Sequence, residues 1–338
     1  MSETTVREAS AAGAQEQGFG GRFLSALVRV REVSILLVLV GLAVYFQTAN
    51  SAFLSPQNLL SLAQFAVPYV VIASALSLLL ICGEIDLSVG QSFAFAPIVM
   101  YLAYEKFFLV LPLAVVVGLL AVALVGFVNG LITVYLGVSS LITTLGMFFL
   151  LAGLNVTLTG GFPATTPDTT FVTQALGEYS WSGAIWALAV VAVLQLVLSR
   201  TRWGLHTYAT GGNPLGSREA GVSIARIKIG NFMLVGILGG LVGIIEAFRI
   251  NSIDPLVGGP NIVLLCIASA VIGGTALLGG IGTVTGASLG ALVLTILQNG
   301  FTLQGISAYT FNIILGIAIL VAMILNVYVA RLRGAGGT

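Results

Sequence analysis

An all-α, polytopic membrane protein is the fold class this sequence predicts, and three observations predict it. Hydrophobic residues make up 58% of the 338 residues and charged residues 7%, with a mean hydropathy of +1.08. Soluble domains carry about 25% charged residues, so this chain lacks the polar surface to face water. Apolar stretches close to the ~20 residues that cross a bilayer as a helix recur along the chain. The 42 glycines suit helices packed closely in lipid, where small residues let backbones approach. A net charge of +1 excludes a basic nucleic-acid binder. The two cysteines, Cys82 and Cys266, sit in apolar runs and imply neither a disulfide framework nor a metal site.

The elements follow in order. Residues 1–32 are polar, without apolar periodicity, and read as a disordered cytoplasmic tail; a cleaved signal peptide would begin its apolar run much earlier. Ten spans follow, at 33–48, 59–81, 89–103, 107–129, 139–159, 181–199, 230–248, 261–278, 284–300 and 309–329. Residues 33–330 thus form one transmembrane domain, with a cytoplasmic loop at 199–229 and a short cytoplasmic tail at 331–338. The basic residues test the count. Arg7, Arg22, Arg29, Arg31, Arg200, Arg202, Arg218, Arg226, Lys228, Arg331 and Arg333 fall on one side, and only Lys106 and Arg249 on the other. The Lys/Arg asymmetry places both termini in the cytoplasm, and an odd number of spans would expel one basic tail.

Between the second and third spans the stretch Cys82-Gly-Glu-Ile-Asp-Leu-Ser-Val-Gly-Gln91 sets two carboxylates, Glu84 and Asp86, between apolar runs. As a plain turn, Ser88 would cap the third helix and Gln91 complete a capping box, with Gly83 and Gly90 allowing a tight backbone. Capping needs neither carboxylate. Charges at a break in a membrane chain face protein or a water-filled cavity, which makes Gly83, Glu84, Asp86, Ser88 and Gly90 a candidate gating or coupling motif. Residues 279–288 echo the stretch without its charges. Gly83, Ile85, Gly90 and Ser92 recur at Gly279, Ile281, Gly286 and Ser288, and Ile72-Ala-Ser-Ala75 recurs as Ile267-Ala-Ser-Ala270. Both copies join a span entering the cytoplasm to one leaving it, so the pattern reads as a parallel internal repeat, a feature of transporters.

The loop at 199–231 is the one sizeable charged connection. Gly211-Gly-Asn-Pro214 reads as a turn and Ser217–Gly221 as a short helix closed by glycine. A basic interfacial loop that merely sets topology is one reading; a docking element for a cytoplasmic partner is the other.

With these residues in place, the chain resembles the permease subunits of ribose-type ABC sugar importers, within the wider group that includes branched-chain amino-acid permeases. Gly83–Gly90, Ala209–Pro214 with Gly221, Val271–Thr275, Leu278–Gly282 and Leu297–Gly300 carry the resemblance over about residues 50–325. It implies a dimer of permeases, homo- or heteromeric, working with two ABC ATPase subunits that hold ATP and Mg, and a soluble extracytoplasmic binding protein. It also implies a bacterial inner-membrane location and makes the loop at 211–222 the coupling helix, with Gly212, Asn213, Pro214, Arg218, Glu219 and Gly221 as ATPase-docking residues. Two departures stand out. Pro214, Leu215 and Gly216 replace the family's usual glutamate and two alanines, and Val263 and Leu264 replace its Glu-Leu.

No Gly-x-x-x-x-Gly-Lys-Ser/Thr motif occurs, so this chain is expected to hold no nucleotide and no cofactor of its own and to be no enzyme. His206 stands without a ligand cluster, and Glu246 with Arg249 reads as a surface pair. Gln64, Asn129, Asn155, Asn261, Gln298, Asn299 and Asn312 are candidates to hydrogen-bond a hydroxylated solute, with interhelical packing bonds as the plain alternative. The function expected is import of a monosaccharide or related small polar solute. An ion-coupled secondary transporter, or an ABC permease for nucleosides or other non-sugar solutes, is the rival. A channel finds no support, because no segment suggests a charged ring or carbonyl filter.

Overall fold

The computed structural model describes residues 31–307 together with 310, 312–314, 316, 317 and 320. Nearly all of the tail at 1–32, most of the tenth span at 309–329, and the tail at 331–338 lie outside the described residues. The helices are α1 (Arg31–Ala49), α2 (Pro56–Ile81), α3 (Val89–Glu105), α4 (Leu111–Tyr135), α5 (Ser140–Thr159), α6 (Ser182–Arg200), α7 (Arg202–Gly212), α8 (Pro214–Glu219), α9 (Ile224–Ile250), α10 (Pro260–Ile272) and α11 (Val284–Leu303). Among the described residues seven of these are long and apolar enough to cross a membrane. Spans expected at 89–103 and 261–278 differ: α3 has 17 residues and α10 only 13. The expected helix at 261–278 breaks at Gly273 because Gly274 adopts φ +90°, which a helix cannot continue through.

Helix α2 is the axis of the molecule. Ser55 caps it by accepting from Asn58 N at 3.3 Å, Pro56 occupies its first turn, and nearly every side chain from Ala66 to Ile81 is buried. A helix buried on all faces needs apolar residues all round, which explains why no amphipathic stripe marks it. At the periphery, α1 exposes Leu36, Leu37, Val38, Val40 and Val44, and α5 exposes Ile142, Phe149 and Leu150; these faces suit lipid. Glycines set the closest approach. On α4, a β-carbon at Gly126 would lie 2.4 Å from Phe232 O, and on α9 one at Gly243 would lie 1.9 Å from Phe93 O, so α3, α4 and α9 touch backbone to backbone.

The contacts fix which helix ends share a face. One face gathers Arg200, Arg202, Arg218, Arg226 and Lys228 with α7, α8 and the C-terminal ends of α2 and α10; we term it the basic face. Lys106, at the end of α3, and Arg249, at the end of α9, lie toward the opposite face.

Candidate functional site

The charged stretch after α2 is no surface turn. Helix α2 ends with Cys82 N bonded to Leu78 O, Gly83 N to Leu80 O and Glu84 N to Leu79 O, with Gly83 at φ +80°. From there the chain runs without helix to Val89. Glu84 meets Lys228 on the first turns of α9 in an ion pair, and Val89 packs against Gly239 of the same helix. Eleven residues of α9 separate those two levels, about 16 Å at 1.5 Å per residue. The non-helical residues between Glu84 and Val89 cover that rise, the last of them, Ser88, already turned toward helix at φ −73°, ψ −14°. The stretch therefore climbs from the basic face to mid-depth, where α3 begins.

A second segment descends to meet it. After α9 ends at Ile250, residue Ile253 pairs with Ala164 (Ile253 N to Ala164 O, 2.8 Å; Ala164 N to Ile253 O, 3.0 Å), and the chain then turns inward to Gly258 and Gly259. There it touches Gly90. A β-carbon at Gly258 would stand 2.4 Å from Gly90 O, and one at Gly90 would stand 2.5 Å from Val263 Cγ2. Helix α10 starts at this point with Pro260 in its first turn. Helices α3 and α10 thus begin inside the fold with their amide ends turned to one crossing, where the helix dipoles concentrate partial positive charge. Irregular backbone at such depth is tolerated only when buried in protein or lining a cavity.

Hydrogen-bonding side chains, neutral apart from Asp86, surround the crossing. Gln91 Nε2 donates to Gly258 O at 2.6 Å, and Asn155 Nδ2 of α5 donates to Gln91 Oε1 at 3.0 Å. Asp86, 1% exposed, accepts from Ser88 N at 2.8 Å and from Ser88 Oγ at 2.6 Å, and Ser88 Oγ accepts from Asn129 Nδ2 at 2.8 Å. Ser140 and Thr144 of α5 hold the climbing backbone through Ile85 N (3.2 Å) and Leu87 N (3.1 Å). The expected capping box is absent. The Ser88 side chain turns back to Asp86 instead of capping α3, and Gln91 reaches across to the descending segment. A buried carboxylate is the stronger acceptor, so it takes the hydroxyl.

Ser92 Oγ, Asn129 Oδ1 and Asn155 Oδ1 are buried without a hydrogen-bond partner. Such atoms are rare in folded proteins and keep unused bonding capacity. Toward the opposite face, a cavity of about 20 Å³ bounded by Phe93, Glu246, Ser252, Asp254 and Val257 has room for a single water. Toward the basic face, a cavity of about 530 Å³ is lined by Thr133, Arg218, Ser223 and Lys228.

Residues 58–323 match the family described as branched-chain amino acid transport system / permease component. The chain belongs to this permease family. It is 39% identical over 311 residues to the xylose/arabinose import permease XylH of Sulfolobus acidocaldarius, covering 90% of this chain and 87% of that protein. It is 32% identical over 319 residues to the ribose import permease RbsC of Escherichia coli (91% and 97%). It is 31% identical over 307 residues to the autoinducer 2 import permease LsrC of Photorhabdus luminescens (90% and 91%). No solved structure matches the chain.

The permease's sequence-derived candidates divide by location. Asn129 and Asn155 come together at the crossing with Gly83, Glu84, Asp86, Ser88 and Gly90 at or leading up to it. The others do not join them. Gln64 donates to Ser180 O at 3.0 Å, Asn299 exchanges amide bonds of 2.9 and 3.0 Å with Asn58, Gln298 is half-buried on α11, and Asn261 and Asn312 are exposed. Lys228, Ser140, Thr144 and Gly258 join the site without a role expected from sequence, and Gln91 joins it in place of its expected capping role. A lysine at the start of a long span was the one available signal.

On the basic face, the stretch expected as a loop forms helix α7 through Gly212, so the predicted Gly211–Pro214 turn narrows to a break at Asn213. Thr201 accepts from Gly204 N and starts α7; Asn213 accepts from Gly216 N at 3.0 Å and starts α8, with Pro214 in its first turn. Gly221, at φ +80°, ends it, and Arg218 and Glu219 are exposed. Tyr208 Oη donates to Gly282 O at 2.6 Å; burial first, and then the Glu32 carboxylate, hold this phenol above its ordinary pKa, so it remains a donor.

Proposed function

We propose that this permease imports a monosaccharide or related small polar solute as the membrane subunit of an ABC importer. It would work as a dimer of permeases in a bacterial inner membrane, with both termini cytoplasmic. Separate ATPase subunits supply ATP and Mg, and an extracytoplasmic binding protein delivers the solute. One observation supports the reading: two re-entrant segments cross among hydrogen-bonding side chains that, apart from Asp86, are neutral. Asn129, Asn155, Gln91 and Ser92 suit hydroxyls. None of the described Lys or Arg side chains hydrogen-bonds to residues 88–91 or 258–259, so nothing there would select a carboxylate. The sugar names carried by the two permeases cited first agree with that chemistry. Asp86 is committed to Ser88 and Glu84 to Lys228, which favours positioning of the climbing segment over ion coupling.

Helices α7 and α8 serve as the ATPase-docking element in this reading, through Gly212, Asn213, Pro214, Arg218, Glu219 and Gly221. The test is reconstitution in proteoliposomes with the ATPase subunit that copurifies with the full chain and with its binding protein, measuring uptake of ribose, xylose and arabinose. Uptake should require ATP on the basic-face side, and deleting 213–221 should abolish ATPase association while the chain still purifies as a monodisperse membrane protein. Uptake driven by a proton or sodium gradient without the ATPase would sink the proposal in favour of a secondary transporter.

A further inference from the structure

The connection after α10 forms a tip on the basic face. Residues 273–283 join α10 to α11, and Leu278 within them is 94% exposed, more than any other large apolar side chain among the described residues. Ile281 is 56% exposed beside it.

Lipid tails are not what covers Leu278. Gly280 N donates to the carbonyl of Ile81, the last residue of α2, at 2.8 Å, and the tip lies against Gly211 and Gly212 at the end of α7. Helix α2 has 26 residues, about 39 Å of rise against a hydrocarbon core of about 30 Å, so its last residue stands at or beyond the edge of that core. The tip is also held rigid. Ala276 N donates to Ile281 O at 2.9 Å and Gly279 N to Ala276 O at 3.2 Å, and Tyr208 Oη grips Gly282 O. Gly279 and Gly280 take φ +89° and +76°, and a β-carbon at Gly280 would come within 2.9 Å of Gly212 Cα. A leucine fixed in water by this many restraints is preordered for a partner, and little conformational freedom is lost when it is covered.

We propose that the Ala276–Ile281 tip is a second ATPase-contacting element, its Leu278 side chain seating in an apolar pocket of the ATPase subunit beside the groove that takes α8. The proposal rests on the ABC importer reading and extends it from one docking element to two. Continuity argues for this occupant: the tip abuts the end of α7, one residue before the break that leads into α8. On those helices Leu205 is 65% and Leu215 75% exposed, with Arg218 and Glu219 also exposed. Apolar side chains bordered by charged ones are the composition of a protein interface. The tip also reaches Ile81 directly, one residue before the climbing segment, so force applied at Leu278 arrives at the foot of the crossing without passing through α8.

The experiment measures binding of the detergent-purified full chain to the ATPase subunit that copurifies with it. Four chains are compared: wild type, Leu278→Asp, Leu278→Met, and the 213–221 deletion. Leu278→Asp should weaken association roughly 10- to 100-fold, the loss of one well-seated leucine, while Leu278→Met stays near wild type. A photo-crosslinking p-benzoylphenylalanine at position 278 should join the chain to that ATPase. If the deletion weakens binding but Leu278→Asp does not, this inference fails while the importer reading stands. If neither change matters, the docking role of α7 and α8 fails with it. Crosslinks from position 278 to lipid or to a second copy of this chain would overturn the inference directly.

Discussion

The connections that follow α2 and α10 begin with the same backbone manoeuvre and arrive in different places. In the first, α2 stops with Gly83 N bonded to Leu80 O and Glu84 N to Leu79 O; in the second, α10 stops with Gly274 N bonded to Val271 O and Thr275 N to Ala270 O. Gly83 and Gly274 take the same left-handed conformation, at φ +80° and +90°. The recurring Ile-Ala-Ser-Ala and the following helix start keep equal spacing in both copies, yet the second helix ends about one turn earlier. Its connection is eleven residues long against seven. The short connection is pulled straight up to mid-depth and carries Glu84 and Asp86; the long one, without charges, folds into a tip at the basic face. Loop length, set by where a glycine breaks the helix, decides which copy enters the core. The charges follow, because only the buried connection has donors arranged to hold them.

The largest effect should come from removing the carboxylate that the first connection has and the second lacks. Asp86→Ala strips the acceptor from Ser88 N and Ser88 Oγ in a buried site and should cost about 3–5 kcal/mol, read as a lower unfolding temperature in detergent. Ile281→Ala, in the exposed tip of the other connection, should cost under about 1 kcal/mol. Similar losses at the two positions would end the contrast drawn here. Asp86→Asn keeps an acceptor for Ser88 and should leave folded protein that assembles with its ATPase but transports poorly, with the same ranking among sugars.

A smaller effect is expected at the foot of the climb. Lys228→Met leaves Glu84, 9% exposed, without its partner and should destabilise by about 1–3 kcal/mol. Adding Glu84→Gln should recover most of that loss, because the uncompensated charge is then gone. A double mutant no more stable than Lys228→Met would show that the lysine acts through its packing rather than its charge. The smallest effect tests the shared manoeuvre itself. Gly83→Ala and Gly274→Ala each force a β-carbon into a left-handed backbone and should each cost about 1–2 kcal/mol. Unequal costs would mean that the two helix ends are not the same device.

Much of this was legible in the residues alone. Composition and Lys/Arg placement determined a polytopic helical membrane protein. Nine of the expected spans each contain one helix, because a bilayer leaves a long apolar run no other way to satisfy its backbone. Gly221 marked the end of the short helix, and the Gly211–Pro214 turn marked the break before it, through chemistry that acts within a few residues. The Glu84–Asp86 stretch declared itself by carrying charge where charge is expensive.

Tertiary structure alone decided the rest. Hydropathy reports whether a residue avoids water but not its depth, so it does not show that α3 and α10 start at one buried crossing. Nothing local in Gly258 or Gln91 tells that they meet 167 residues apart, or that Ser88 gives its hydroxyl to Asp86 instead of capping α3. Asn129 and Asn155 reach the crossing while Asn261 and Asn299 do not, although all four are polar residues in apolar runs. Each residue's chemistry is its own, but which partner it finds depends on chain packed from far along the sequence.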